Sequence, residues 1–339
     1  MKTIVIIGAG MMGSAMSIPA CDRGHTVRIV GTHLDREIIQ AARERPYHIT
    51  MKRSLPEKAS FYQLEQLDEA LQGADIVICG VSSFGVDWFA SVAVPHIPDG
   101  VPVLSVTKGL HEHEDGTLET FPDYLRRITG RQLSFNAIGG PCTSYELADR
   151  RHSAVAFCGS DMETLAMLKR TLETDYYHIS LTRDIVGLES AVALKNAYAL
   201  AVSMAIGMVE KSDGEGCQEA YNPQAALFAQ SLREMIALLK LLGGGADNIV
   251  HGAGDLYVTI FGGRTRRLGT LLGRGLTIRE ALEVLEGVTL ESVVIAKRMV
   301  SSLKKKGDIN RFPLLQYIGK LLNGEPDTGM PWKSFCTIG

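Results

Sequence analysis

The chain lacks several features, and each lack removes a class of function. It has no surplus of one charge: 35 Lys and Arg face 38 Asp and Glu, a formal net charge of -3, so nucleic acid is not an expected partner. It has no C-x-x-C pair. Its six cysteines (Cys21, Cys79, Cys142, Cys158, Cys217, Cys336) are scattered, which suits reduced thiols better than a disulfide frame or a zinc site. His111-Glu112-His113 has the residue types of a ligand pair, but it lies in a charged, glycine-containing segment that reads as a solvated loop, and no metal site is expected. The first apolar run is about six residues long, too short for a signal-peptide core or a membrane span, so a cytoplasmic protein with no membrane partner is expected. No internal repeat or low-complexity segment is present. With 339 residues and 45% hydrophobic content, the chain predicts about two soluble domains of roughly 100 to 200 residues each.

What is present begins at once. Lys2 to Ile7 reads as a strand and runs into Gly8-Ala9-Gly10-Met11-Met12-Gly13, followed by a helix-compatible stretch from Ser14 to Cys21. In a G-x-G-x-x-G turn, Gly8 permits the tight turn, Gly10 lets backbone amides approach a pyrophosphate, and Gly13 lets the helix lie close to the strand. The helix N-terminus then faces the phosphate charge. Pro19 removes a backbone donor and predicts a kink in the last turns of that helix.

The N-terminal half continues as strand, connection, strand. Thr26–Val30 reads as a second strand, and Ala74–Val81 is a continuous apolar run of the kind found in strands buried on both faces of a parallel sheet; Val101–Val106 and Phe135–Ile138 follow as further strands, and Ala154–Cys158 closes the series. The fold class that follows is α/β: a Rossmann-type doubly wound parallel sheet over residues 1–183, then an all-helical domain over 184–339. In such a sheet the ligand crevice lies at the carboxyl ends of the strands. That directs attention to the glycine turn, to Gly31-Thr32-His33, to Ser82-Ser83-Phe84 and to Thr107-Lys108-Gly109.

From about Asp184 the apolar period becomes helical. Leu188–Val209 is long enough to suggest a membrane span, but Glu189, Lys195 and Asn196 in its first half favour a buried core helix. Asn222-Pro223 reads as an N-cap with proline at the first helical position, and Gly243-Gly244-Gly245 as the stop of that helix. Further helical stretches are Leu256–Phe261, Ile278–Glu286 and Glu291–Lys304. The chemistry concentrates at Lys195, which shares a helix face with Leu188, Ala191, Val192, Ala199 and Val202. Burial lowers a lysine's proton affinity, which is how it becomes an acid and base usable near neutral pH, while a nearby carboxylate pulls the other way. A snorkelling or purely structural lysine is the competing reading.

These residues resemble one family. Gly8 to Gly13, Val106-Thr107-Lys108-Gly109-Leu110, Gly140-Pro141, Ala193-Leu194-Lys195-Asn196, Gly252-Ala253-Gly254-Asp255-Leu256 with Thr259, and Gly263-Arg264 stand in the order and approximate spacing of the NAD(P)-dependent glycerol-3-phosphate dehydrogenases. The resemblance covers nearly the whole chain. It implies an oxidoreductase that interconverts dihydroxyacetone phosphate and sn-glycerol 3-phosphate. It implies Lys195 as the proton donor to the carbonyl oxygen, Asp255 as its charged partner and Lys108 as the group polarising that oxygen. Asn196, Thr259, Arg264 and Thr265 would bind substrate, with Arg264 gripping the phosphate. Gly8, Gly10, Met11, Met12, Gly13, Thr32, Ser82, Lys108, Cys142, Arg264 and Glu291 would line the cofactor. The competing assignments are an N-cap role for Asp255 and a solvated loop for Lys108.

The chain departs from the family pattern at Thr265, where asparagine is usual, with Arg266 and Arg267 close by. It departs again at Gln224 in place of a lysine, at Cys142 in place of a serine, and at Leu290-Glu291-Ser292 in place of Val-Glu-Gly. NAD or NADP is the expected cofactor. The residues directly after the second strand are Gly31, Thr32 and His33, with Asp35 and Arg36 further on; Thr32 and Arg36 can accept a 2′-phosphate, and the lack of an acid directly after the strand leans that way without deciding it. A dehydrogenase for another phosphorylated or carboxylated keto compound, and a dinucleotide-binding sensor without turnover, remain as alternatives. A small anionic substrate is expected as partner, and a homodimer is carried as an expectation with no sequence feature of its own.

Overall fold

Every residue of the apolar run Ile76–Cys79 is buried, as expected of a strand enclosed on both faces. It sits inside an eight-stranded sheet in the computed structural model, which describes residues 1–286 and 290–337. In chain order the strands are β1 (Thr3–Ile7), β2 (Thr26–Val30), β3 (Ser60–Tyr62), β4 (Ile76–Cys79), β5 (Val103–Ser105), β6 (Phe135–Gly139), β7 (Ser153–Cys158) and β8 (Tyr177–Thr182). Their spatial order is β8-β7-β6-β5-β4-β1-β2-β3. The parallel register aligns Ile7 with Val30 and with Cys79, and Cys79 with Ser105. The segments after these four residues therefore leave the sheet side by side at one edge, the edge where such sheets bind ligands.

The sheet differs from the expected series in three places. β6 and β7 are antiparallel, with Ala137 opposite Cys158, because the chain turns back through the short helix Ser144–Ala148 instead of crossing over. β3 and β8 were not foreseen. β8 alternates buried and exposed residues at one margin of the sheet, so it carries no continuous apolar run to find. The first helix is also two helices, Met11–Ala15 and Ser17–Asp22. The break at Met16 is further from the C-terminal end than predicted and is explained by Pro19: proline cannot donate to the carbonyl four residues back, and its ring crowds that carbonyl, at Ala15.

By contacts the chain forms two compact units: Met1–Lys108 with Thr120–Glu189, and Gly109–Glu119 with Ser190–Gly339. The second is built around the helix Ile185–Asp213, whose most apolar stretch is 83% buried inside the protein. By length and composition this is the one described helix that could cross a bilayer. The helix Gly263–Gly273 crosses it so closely that a Cβ on Gly269 would lie 2.5 Å from the Leu200 carbonyl oxygen, and one on Gly273 2.1 Å from that of Met204.

The other helices of this unit are Tyr221–Leu242, Ile249–Ile260, Ile278–Val284, Glu291–Lys306 and Pro313–Leu322. Tyr221–Leu242 starts after Ala220 and not after Asn222. Pro223 therefore stands third in the helix, still within the first four N–H positions that lack an intrahelical acceptor. Gly243 ends that helix with φ +88°, as expected of a left-handed stop. His111-Glu112-His113 is not a solvated loop. Leu110–Glu112 is a hairpin strand of this second unit, tied down by Arg298 donating to the Leu110 carbonyl at 2.6 Å and Lys305 to Glu112 at 3.3 Å.

Candidate active site

At the carboxyl edge of the sheet three glycines interlock. Gly8 has φ +106°, and a Cβ there would lie 2.8 Å from the Gly80 carbonyl carbon. A Cβ on Gly13 would come within 2.3 Å of the Gly8 oxygen, and one on Gly80 within 2.6 Å of the same atom. Gly80 belongs to this cluster as much as the motif glycines, yet no motif points to it; its partners come from a strand distant in sequence. Gly10 is different. Its nearest neighbour to an added Cβ is the Gly80 oxygen at 3.7 Å, so packing within the protein does not require glycine there. The smallness of Gly10 serves whatever lies against the turn, as a pyrophosphate does.

The turn is clamped at Ala9. Its N–H donates to Asp35 Oδ2 at 3.1 Å, and its carbonyl accepts from His48 Nε2 at 2.9 Å. His48 is fully buried, and its Nδ1 accepts from the Met51 N–H at 3.0 Å, which places the ring proton on Nε2. Burial holds His48 below its usual proton affinity, despite the Ala9 carbonyl. In the sequence Asp35 is only an acid beyond Thr32 and His33, and His48 carries no local signal; the fold alone brings both to Ala9.

Asp35 Oδ2 also accepts from the Thr32 N–H and hydroxyl, both at 2.8 Å. Gly8, Gly10, Thr32, Asp35, Ser82 and Trp88 are among the residues lining a cavity of about 310 Å³ beside the turn. An acid thus does line this pocket, five residues beyond the end of the second strand at Val30. Arg36, the other residue weighed for a 2′-phosphate, is paired with Glu65 on the surface. Nearby, Met12, Lys108, Gly140, Cys142 and Tyr177 are among the residues lining a smaller cavity of about 20 Å³, and Lys108 Nζ donates to the Gly140 carbonyl at 3.2 Å. Lys108 is half-buried, so it is not a solvated loop lysine.

In the second unit, Lys195 Nζ lies 3.1 Å from Asp255 Oδ1, with side-chain exposures of 11% and 3%. It also donates to Thr259 Oγ1 at 2.8 Å, and that hydroxyl donates to the Asp255 carbonyl at 2.7 Å. Asp255 sits in the middle of the helix Ile249–Ile260, which excludes an N-cap role. Asp255 and Thr259 are one turn apart on this helix, and Lys195 comes from the middle of the long one. An ammonium, a carboxylate and a hydroxyl are thereby held together with almost no access to water. Such a group can hold and release a proton on a substrate oxygen and stabilise negative charge there.

The sequence matches two family models, NAD-dependent glycerol-3-phosphate dehydrogenase N-terminus over residues 3–165 and C-terminus over residues 184–330. It is 36% identical over 290 residues, 84% of this chain and 83% of the relative, to the NADP(+)-dependent glycerol-3-phosphate dehydrogenase of Archaeoglobus fulgidus. It is 30% identical over 333 residues to the glycerol-3-phosphate dehydrogenase [NAD(P)+] of Bifidobacterium longum subsp. infantis, covering 95% and 93% of the two chains. The crystal structure of glycerol-3-phosphate dehydrogenase from Coxiella burnetii superposes with a TM-score of 0.83 at 22% identity, covering 99% of each chain. The chain belongs to the NAD-dependent glycerol-3-phosphate dehydrogenase family. It is an NAD(P)-dependent oxidoreductase acting on a CH–OH group, with a small phosphorylated substrate.

The remaining residues expected for a glycerol-3-phosphate dehydrogenase fall as follows. Asn196 is buried beside Lys195 on the long helix. Arg264 is exposed in the first turn of Gly263–Gly273, and Thr265 follows it half-buried. Arg266, considered as a substitute phosphate ligand, is tied to Glu219 at 3.1 Å and to the Phe261 carbonyl. Glu291 opens the helix Glu291–Lys306, immediately after a stretch outside the described residues. Cys142 lies in the lining of the small cavity with Lys108, and Cys21, Cys79, Cys158 and Cys217 are free thiols; the Cys336 side chain lies outside the described residues.

Proposed function

We propose that the chain interconverts dihydroxyacetone phosphate and sn-glycerol 3-phosphate, with Lys195 as the catalytic acid and base. The observation that carries this reading is the buried Lys195, Asp255 and Thr259 group. The bound nicotinamide dinucleotide supplies the hydride. As the carbonyl carbon accepts it, the oxygen becomes alkoxide-like, and Lys195 delivers a proton to it. Asp255 faces the lysine as its counter-charge. Thr259 directs Nζ by accepting one of its protons. Asn196 orients the substrate oxygens, and Lys108 adds positive charge to the carbonyl.

Arg264 binds the phosphate through its forked donors, helped by the first-turn amides of its helix and by Thr265. The dinucleotide would be held by Gly8, Gly10, Met11, Met12 and Gly13, with Thr32 and Ser82 at the larger cavity, and by Lys108, Cys142, Arg264 and Glu291. The room left at Gly10 and the 310 Å³ cavity support this fit.

The free thiols Cys21, Cys79, Cys158 and Cys217 support a reducing, cytoplasmic setting. Tyr257 and Phe261, 57% and 59% exposed and edge-to-face at 4.8 Å, support a homodimer formed through the helical unit. Oxidation of NADH or NADPH by dihydroxyacetone phosphate, followed by nicotinamide absorbance with Lys195→Ala as control, tests the assignment. Rapid oxidation lost in the variant is expected. Tight cofactor binding without turnover on this substrate would move the assignment to another anionic keto compound.

A further inference from the structure

Asp35 stands immediately before the helix Arg36–Glu44, the position from which an aspartate ordinarily caps its own helix by accepting from the second or third amide. It makes no such bond. Its side chain goes instead to the cavity beside the glycine turn, where Oδ2 accepts from three donors: the Ala9 N–H at 3.1 Å, and the Thr32 N–H and hydroxyl, both at 2.8 Å. Oδ1 takes no donor among the described residues, and Asp35 is only half-buried in the cavity lining. The carboxylate gives up a capping bond, is fixed through one oxygen and keeps the other open.

The same bonds decide the fate of the two residues weighed for a 2′-phosphate. Thr32 commits both its donors, amide and hydroxyl, to Asp35, and its hydroxyl oxygen also accepts from the Leu34 N–H at 3.2 Å. Arg36 is paired with Glu65 on the surface. Among the described residues lining the cavity there is no lysine or arginine, and the one imidazole, His33, lies 5.9 Å from Trp88 between ring centroids. The first turn of Arg36–Glu44 carries Glu37, so that helix offers no uncountered positive end. A phosphate on the ribose would meet a fixed carboxylate with no lysine or arginine in the lining to offset it. A hydroxyl at the same place is a donor, and Oδ1 is an acceptor open to it.

We propose that Asp35 is the specificity-determining residue for the cofactor: through Oδ1 it accepts from a ribose hydroxyl of NADH, and by like-charge repulsion it rejects the 2′-phosphate of NADPH. The inference rests on the proposed placement of the dinucleotide at the glycine turn. Asp35 then does two things at once. Oδ2 ties Ala9, inside the turn, to Thr32 just beyond β2, and Oδ1 reads the ribose from the position so fixed. The preference for NADH runs against the direction in which Thr32 and Arg36 point by sequence order, because the fold has already used the donors of both.

Equilibrium binding tests this without turnover. Fluorescence titration of the wild type is expected to show NADH binding at least about tenfold tighter than NADPH. Displacement of NADH by ADP-ribose and by its 2′-phosphorylated form, which lack the nicotinamide, should give the same order. In Asp35→Asn, whose amide keeps an oxygen for Ala9 and Thr32 but carries no charge, the ratio should move toward NADPH by at least about fivefold, mostly through tighter NADPH binding. Thr32→Val deletes one donor to Oδ2 and leaves the charge, so both dinucleotides should weaken alike and the ratio should hold. Equal affinity for NADH and NADPH in the wild type, or an Asp35→Asn protein that weakens toward both equally, would overturn the proposal and leave Asp35 as a clamp on the turn. Should Asp35→Asn fail to fold, the two ADP-ribose forms decide on the wild type, since equal affinity for them refutes the repulsion. Binding of neither dinucleotide would remove the cofactor placement and this inference together. NADH preferred over NADPH without reduction of dihydroxyacetone phosphate would remove the proposed substrate and uphold the role of Asp35.

Discussion

Replacing Lys195 with methionine tests both the energetics and the chemistry of the central group. Nζ and Oδ1 are 3.1 Å apart and nearly excluded from water. With an effective dielectric constant of about 20, Coulomb's law gives an attraction of about 5 kcal/mol at that separation. Much of it is offset by the cost of removing both charges from water, so the intact pair adds little net stability. Lys195→Met removes the attraction and leaves that cost in place for Asp255. The expected loss is therefore about 3 kcal/mol or more, which for a unit of this size lowers Tm by about 6–12 °C. Asp255→Asn in the Lys195→Met background removes the stranded charge and should recover most of the loss. Thermal and urea unfolding of the two single variants and the double variant measure the coupling. Cofactor oxidation on the same samples measures turnover, which should fall by at least about a hundredfold in Lys195→Met and should not return in the double variant. Stability recovered without activity is the signature of a pair whose lysine does chemistry. Additive stability losses would refute the buried-pair argument, and turnover within tenfold of wild type would refute Lys195 as the acid.

Gly10→Ala should unfold at the wild-type temperature and lose NAD(P)H binding by at least tenfold in fluorescence titration, since an added Cβ has room in the protein and obstructs only the ligand; Gly13→Ala, 2.3 Å from the Gly8 oxygen, should lose both stability and binding. Glu65→Gln, which releases Arg36 from its surface ion pair, should raise kcat/KM for NADPH relative to NADH by about threefold, and an unchanged ratio would remove Arg36 from cofactor choice. His48 is buried below its ordinary proton affinity, so the folded state takes up its proton later than the unfolded chain; stability is full above about pH 6.5 and declines as pH falls from there toward the lowered folded value. Chemical denaturation across that range should show a smaller decline in His48→Gln, whose amide retains a donor for Ala9 but has no proton to gain, than in wild type; the remainder belongs to His25 and His251, which burial also lowers.

The sequence was readable where a function is carried by consecutive residues or by one helical face, and silent where the fold makes the neighbours. Gly8 to Gly13 could be assigned from their order because a tight turn, an amide approach and a close helix are local demands. Lys195 stood out because an ammonium in an apolar stripe contradicts the stripe. Asp255 and Thr259 needed the resemblance to be picked out, although their spacing of one turn already puts both on one side of a helix. Gly80, Asp35 and His48 meet the glycine turn only after three parallel strands align Ile7, Val30 and Cys79. The antiparallel return of β7 was hidden for a related reason: a strand buried on both faces has the same apolar run in either direction, and direction is set by the connection. Glu189 combines both cases. Its place in an apolar helix is plain in the sequence and counts there only against a membrane span, while the burial of both its oxygens without a partner exists only in the fold.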